Sequence, residues 1–282
     1  MSKIVKIILW TLAGLFCLLL PGLYNPLNIV RYEIKAKGLT YPVRIALVTD
    51  LHSCAYGPDQ RELLDAIDRE KPDLILLGGD IYDDDLPDGN TLTFLKGVSS
   101  QYPCYYVPGN HEYWRDDFSE KMAELDSLGV QRIAGQMVSV DVRGDRLNLC
   151  GLDDPYAWEG KGAKGPADHR FRDQLARLGA LSKDGAYTIL LTHRPECFDL
   201  YAQYDFDLVL AGHAHGGQWR IPGIVNGLFA PNQGLFPKYA GGRYEQNGTE
   251  MIVSRGLARE STKVPRIYNR PELVLLDLQA DQ

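Results

Sequence analysis

Apolar positions fall into short runs separated by stretches of helical periodicity. Residues 43–49 (Val-Arg-Ile-Ala-Leu-Val-Thr) form a nearly continuous apolar, β-branched run, the pattern of a strand covered on both faces. Over 58–71 the spacing is helical, with Leu63, Leu64 and Ile67 on one face and Pro72 as the stop. The alternation continues with a strand at 73–77, a helix at 91–101, a strand at 104–107 and a helix at 116–128 closed by Gly129. The rhythm then changes to a hairpin, 137–142 and 146–151 around Arg143-Gly144-Asp145. A polar segment rich in Gly and Lys, 155–186, carries one helix at 169–181. Further strands are expected at 187–191, 208–211, 251–254 and 273–278. Strands alternating with helices place the chain in the α/β class, with packed sheets covered by helices.

The first thirty residues follow a different pattern. No charged residue occurs from 7 to 30, and 7–20 (IILWTLAGLFCLLL) is almost wholly apolar. The stretch 4–23 would be about 30 Å long as a helix, the thickness of a hydrocarbon core, with Lys6 able to snorkel to the interface. The expectation is a membrane anchor over 1–30 with a transmembrane helix at about 4–23, and a single catalytic domain over 31–282. A removed signal peptide is the alternative, because Lys3 and Lys6 precede the apolar stretch; Leu20-Pro-Gly-Leu-Tyr-Asn-Pro26 offers no small-x-small cleavage site. This layout predicts a single-pass protein of the cell membrane. The signal-like order puts the catalytic domain outside the cytoplasm, whereas Lys3 and Lys6 against Arg31, Lys35, Lys37 and Arg44 make the positive-inside count nearly a tie.

Charge narrows the partners. The chain has 30 Lys plus Arg and 37 Asp plus Glu, a formal charge of −7. Only Lys3 and Lys6 of these lie in 1–30, so the body carries −9. So acidic a body argues against nucleic acid as a partner, which calls for a basic surface. Five cysteines without a C-x-x-C pair exclude a thiolate zinc ribbon, and small buried hydrophobes are their default reading.

The candidate chemistry lies where strands end. The first strand runs into Asp50-Leu-His52, the second into Gly79-Asp80 with Asp83 beyond, and the third into Gly109-Asn-His-Glu112. Later strands end in Thr192-His193 and Gly212-His-Ala-His215-Gly216. Of six histidines, His52, His111, His193, His213 and His215 occupy such positions, and only His169 does not. Loops beyond the carboxyl ends of strands are where α/β folds build their sites. Each motif alone also reads as turn chemistry; five in one chain make a site. Imidazole, carboxylate and an Asn carbonyl without thiolate suit Mn, Fe, Zn, Co or Ni. Seven candidate ligands exceed the needs of one ion and match two that share a carboxylate. Two such ions can activate water and clamp a phosphoryl group.

The order Asp50-x-His52, Gly79-Asp80-x-x-Asp83, Gly109-Asn110-His111-Glu112, His193, Gly212-His213-x-His215 resembles the calcineurin-like metallophosphoesterase superfamily, from about 43 to 278. Gly216-Gly217-Gln218, Ser254-Arg255-Gly256 and Pro265-Arg266-Ile267 before Arg270-Pro271-Glu272 are similar to its bacterial YkuE- and YaeI-like branch of membrane-associated phosphodiesterases. No twin-Arg pair is present, so Tat export is not supported. The resemblance implies a four-layer α/β/β/α sandwich of two mixed β-sheets and two divalent metal ions as cofactors. It implies that Asp50, His52 and His215 hold one ion, that Asn110, His193 and His213 hold the other, and that Asp80 bridges them. His111 is then the catalytic histidine, stabilising a phosphate oxygen or protonating the leaving group, with Glu112 to orient it and Asp83 supporting the Asp80 loop. The implied activity is phosphodiester or pyrophosphate hydrolysis by a metal-bridging hydroxide, with a lipid-linked phosphoester such as UDP-2,3-diacylglucosamine as a candidate substrate. A phosphomonoesterase and a non-catalytic tethered metal-binding module remain as alternatives. Substrate-binding residues are not assigned. Cys54 and Tyr56 read first as loop packing and second as cleft contacts, and Trp158, Arg170 and Arg172 first as part of a solvated insertion and second as a cap facing substrate. Arg255 and Arg266 read equally as phosphate contacts or as partners of acids near the C-terminal strands.

Overall fold

The computed structural model describes residues 2–159, 169–262 and 264–280. A first helix, α1 (Lys3–Leu19), precedes β1 (Asn28–Ala36), β2 (Val43–Val48), α2 (Arg61–Glu70), β3 (Leu74–Gly78), α3 (Gly89–Ser99), β4 (Cys104–Val107), α4 (Asn110–Trp114), α5 (Phe118–Ser127) and β5 (Gln131–Arg132). The chain continues through β6 (Met137–Val142), β7 (Asp145–Gly151), α6 (Tyr156–Glu159), α7 (His169–Leu181), β8 (Tyr187–Leu191), α8 (Phe198–Tyr201) and β9 (Leu208–Ala211). It ends with β10 (Phe229–Ala230), β11 (Gly234–Leu235), β12 (Gly242–Gln246), β13 (Thr249–Val253) and β14 (Glu272–Ala280).

Two six-stranded sheets form, in the orders β1-β14-β2-β3-β4-β5 and β12-β13-β9-β8-β7-β6. Both are mixed. In the first, β14 runs antiparallel to β2 while β2, β3 and β4 are parallel; in the second, β7, β8, β9 and β13 are parallel and both edge strands are antiparallel. The near-continuous apolar runs follow from burial on both faces. Ile45 and Leu47 of β2, with Leu74 and Leu76 of β3, share one core with Leu149, Ile189, Leu191, Leu210 and Ile252 of the second sheet. The intervening Ala46, Val48, Ile75 and Leu77 face Leu63, Ile67, Phe94, Leu95 and Leu125 from α2, α3 and α5. On the second sheet, Leu190 and Val209 face Phe171, Leu175 and Leu178 of α7. The period-two alternation of each strand thus divides its apolar residues between two cores.

The membrane expectation is corrected. The apolar stretch does not continue as one helix from 4 to 23: α1 stops at Leu19, and Leu20–Leu23 form a 3₁₀ turn around Pro21. Gly22 belongs to the body, where its carbonyl accepts the Tyr268 N–H at 2.8 Å. Seventeen helical residues span about 25 Å, less than the roughly 30 Å of a hydrocarbon core. Among the described residues no helix is long and apolar enough to cross a membrane, so neither the transmembrane helix nor the single-pass location is upheld. Ile4, Ile7, Trp10 and Phe16 of α1 are exposed.

Strand β1 is absent from the sequence-based set of elements. It begins at Asn28 and pairs in parallel with β14 along its whole length, Asn28↔Glu272 to Ala36↔Ala280. Its alternation of Val30, Tyr32, Ile34 and Ala36 with Arg31, Glu33 and Lys35 is a strand signal overshadowed by the apolar run before it.

Leu191 is fully buried in the core shared by the two sheets. Leu191→Ala should cost about 2–5 kcal/mol in urea unfolding, whereas Arg31→Ala, which removes the half-exposed pair with Glu70, should cost under about 1 kcal/mol. Equal losses in the two variants would contradict a core held between the sheets.

Candidate metal centre

Five parallel strands, β2, β3, β4, β8 and β9, carry polar residues just beyond their ends, and the backbone there leaves the extended region abruptly. Asp50 (φ 51°), His52 (φ 48°), Asp80 (φ 52°), His213 (φ 64°) and His215 (φ 46°) are all left-handed non-glycine residues. Each such residue costs of order 1–3 kcal/mol and persists only where its surroundings fix it. The bends turn side chains from both sheets toward one another, and all five of these residues are buried or nearly so.

Among the described residues three groups of potential ligands result: Asp50, His52, Asp80 and His215; Asp80, His193 and His213; and, toward the rim, His52, Asp83 and His111. Asp80 belongs to the first two. Its Oδ2 lies 3.0 Å from His193 Nε2 and 3.6 Å from His52 Nε2, and its Oδ1 accepts the His111 N–H at 2.8 Å. Asp50 Oδ1 accepts the His213 N–H at 2.9 Å and lies 3.7 Å from His215 Nε2. Gly109 packs directly against the Asp80 carboxylate, and a β-carbon there would collide with Asp80 Oδ1. Buried polar atoms normally find partners, yet Asp50 Oδ2, His52 Nε2, Asn110 Oδ1 and His215 Nδ1 have none within the protein. These are lone-pair donors from both halves of the cluster, so the residues fit a dinuclear divalent metal site; they do not select the metal.

Neighbouring groups orient the ligands. His52 Nδ1 donates to Asp83 Oδ2 at 2.9 Å, which directs Nε2 inward; Asp83 Oδ1 is occupied by the N–H groups of Asp85 and Leu86. His193 Nδ1 donates to the Gly78 carbonyl at 2.8 Å and likewise turns Nε2 inward. Such hydrogen bonds fix the tautomer of a ligating imidazole. The turn after His213 is braced by Asn269, whose Nδ2 donates to the carbonyls of His215 (2.7 Å) and Gln218 (3.2 Å). Gly216, at φ 62°, lies so close to Asn269 that any side chain there would collide with it.

His111 stands at the rim. Its side chain is 23% exposed, its ring meets His52 edge-on at 4.3 Å, and its Nδ1 lies 2.5 Å from Asp84 Oδ1. Asp84, rather than Glu112, is therefore its partner. Glu112 is fully buried and accepts the backbone N–H groups of Asp80, Ile81, Tyr82 and Gly109 at 2.7–3.0 Å, clamping the loops after β3 and β4 together. Neither Asp84 nor this clamp is evident in the motif, because consecutive aspartates differ only in where the turn aims them.

The charge balance of the cluster is that of a site built for cations. Burial disfavours the Asp80 carboxylate, but His193, His111 and His52 outweigh it and hold its pKa well below the usual range. Burial and the charge of Asp80 push Asp50 up. Burial opposes protonation of His193, but Asp80 pushes it up to about 10. His213 and His215 are held well below normal, first by burial and then by neighbouring cationic groups.

A cleft of about 140 Å³ opens over the cluster, lined by Asn110, His111, Trp114, Tyr156, His213 and Asn232 among others. The remaining candidates do not join it. Cys54 and Tyr56 are buried, and Tyr56 donates to the Leu257 carbonyl. Trp158 packs near Phe171, and Arg170 donates to the Trp158 carbonyl. Arg172 and His169 lie on α7. Arg255 pairs with Glu272 at 2.7 Å, and buried Arg266 donates to the Ala258 and Arg255 carbonyls. Residues 160–168 of the polar segment 155–186 lie outside the described residues.

Residues 43–217 match the family of calcineurin-like phosphoesterases. The chain belongs to that family. It is 30% identical over 259 residues to an uncharacterized metallophosphoesterase of Campylobacter jejuni, across 88% of this chain. It spans 62% of that relative's length, and 50% and 59% of two metallophosphoesterases of Helicobacter pylori. Phosphodiesterase YaeI of Escherichia coli is 29% identical over 246 residues, 84% of this chain and 82% of YaeI. YkuE of Bacillus subtilis is 27% identical, with 84% and 79% covered. Among solved structures, TT1561 of Thermus thermophilus superposes with a TM-score of 0.51 at 15% identity, across 76% of this chain and 90% of that one. A dimetal phosphatase from Danio rerio gives 0.51 at 13% identity, across 76% and 88%. At such identities these two show the fold.

Elemental analysis of Asp80→Asn should find both ions depleted, whereas Asp83→Asn, which releases His52, should weaken one ion by about 10–100-fold and spare the other. Loss of a single ion in Asp80→Asn would contradict the shared carboxylate. Because an ion must displace the proton that Asp80 favours on His193, affinity for Mn should rise between about pH 6 and 9; a flat profile would contradict that competition.

Proposed function

We propose that the chain is a metal-dependent phosphoester hydrolase acting on phosphodiesters or pyrophosphates. The observation that carries this reading is Asp80, one carboxylate common to two buried ligand groups. Asp50, His52 and His215 would hold one ion and Asn110, His193 and His213 the other, with Asp80 between them. Two divalent cations so placed would supply an activated water and a clamp for the phosphoryl oxygens. The three buried cores are consistent with the four-layer α/β/β/α arrangement, with the catalytic domain over 31–282 and β1 starting just ahead of it.

The protein's own groups have distinct tasks. His111 lines the cleft with Nδ1 committed to Asp84, which leaves Nε2 for the substrate. When doubly protonated, the ring offers Nε2–H to a phosphate oxygen or the departing oxygen while Asp84 balances its charge. Glu112 touches no reacting group; it fixes the relative position of Asp80 and Asn110.

Preference for a diester is supported by the name of the Escherichia coli relative, a phosphodiesterase. An apolar substrate moiety, as in a lipid-linked ester of the UDP-2,3-diacylglucosamine type, is supported by an apolar pocket of about 270 Å³ that starts two residues from His215. It is lined by Gly217, Gln218, Trp219, Leu228, Phe229 and Val264.

The test is turnover of bis-p-nitrophenyl phosphate beside p-nitrophenyl phosphate by metal-stripped and Mn-reconstituted protein. Metal-dependent turnover, faster on the diester, is expected; faster monoester turnover would contradict the diester assignment, and none on either would contradict the hydrolase reading for these esters. His111→Ala should lower kcat by about 10²–10⁴-fold with metal content unchanged, and Asp84→Asn by less. Unchanged kcat in His111→Ala would remove that residue from the mechanism.

A further inference from the structure

Arg194 follows His193 directly and is 1% exposed, the largest fully buried side chain in the described protein. A guanidinium out of water costs several kcal/mol unless every donor is matched. Here Asp154 takes both Nε and Nη2, the latter at 2.9 Å, and the guanidinium carbon lies 5.1 Å from the centre of the Tyr156 ring. The remaining nitrogen, Nη1, donates to Asn232 Oδ1 at 2.7 Å, lies 2.8 Å from His213 Nε2, and has a longer contact of 3.5 Å with Glu196. Asn232 Oδ1 is in turn 2.9 Å from His213 Nε2. Arg194 therefore touches three groups that line the cleft, His213, Tyr156 and Asn232.

We propose that Arg194 is a positioning residue that, through Asn232, sets the tautomer and orientation of His213 for one of the two ions. An imidazole offers an ion only one nitrogen, and what the other nitrogen meets decides which. With the proton on Nε2, His213 donates to Asn232 Oδ1 and keeps the Nδ1 lone pair for the ion. Arg194 Nη1 donates to the same oxygen at 2.7 Å, and with the proton on Nε2 its 2.8 Å approach to that nitrogen is a packing contact and not a second hydrogen bond to the ring. Asp154, just beyond β7, anchors the fork, so the loops after β7, β8 and β9 and the Asn232 segment are bound into one unit around His213. Lysine would conserve the charge but has no planar fork that reaches Asp154 and Asn232 together.

The proposal rests on the two-ion reading, and its test separates the two. Metal-stripped wild type, Arg194→Lys and Asn232→Ala are titrated with Mn(II), followed by calorimetry for affinities and by electron paramagnetic resonance for coupling between ions. Wild type should bind two ions and show an exchange-coupled pair. Arg194→Lys should bind the ion shared by His193 and His213 about 10–100-fold more weakly and leave the other unchanged, so a mononuclear six-line spectrum persists where wild type is already coupled. Asn232→Ala, which leaves the Arg194–Asp154 pair intact, should show the same selective loss. Two ions bound as tightly as in wild type in both variants, or equal weakening of both ions, would overturn the proposal. A single ion in wild type would overturn the two-ion reading itself.

Discussion

The Asp80 carboxylate is the point on which both sheets converge. It sits on a left-handed residue just past the end of β3, within reach of imidazoles from the loops after β2 and β8, and accepts the His111 N–H of α4. A buried carboxylate of this kind is stable only with positive charge around it. That requirement explains the surroundings: glycine at position 109 so that β4 can approach, a His193 ring held by a β3 carbonyl, and a buried Glu112 whose four hydrogen bonds fix the geometry of the loops.

The fold supplies this convergence at the cost of local strain. Face-to-face packing of the two sheets brings the carboxyl ends of β2, β3 and β4 near those of β8 and β9, and the left-handed residues turn side chains across the gap between them. The burial of Leu47, Leu76, Leu191 and Leu210 in one core provides the rigidity that such residues need. Asp80 favours positive charge on His193 against the cost of burial, so a proton there and a cation beside it compete for the same carboxylate.

Most of this was legible in the sequence for a physical reason. Strands buried on two faces read as unbroken apolar runs, and polar residues immediately after such runs have no packing role, so Asp50, His52, Asp80, Asn110, His193, His213 and His215 stood out. What could not be read were contacts made by turn geometry. Asp84 rather than Glu112 meets His111, and Asp83 meets His52, although all are acids within the same short motifs. Arg194 and Asn232 are 38 residues apart and carry no pattern. The apolar character of the N-terminus is legible in the sequence, but the end of its helix is set by Pro21 and by the hold of the body on Gly22. Strand β1 shows its alternation in the sequence, but its partner β14 lies at the far end of the chain.

The most direct measurement is anomalous diffraction at the manganese edge from crystals of the Mn-loaded protein. The account predicts two peaks about 3.5–4 Å apart, one on each side of the Asp80 carboxylate, the first near Asp50, His52 and His215 and the second near Asn110, His193 and His213. A single peak, or two peaks that do not share Asp80, would contradict it.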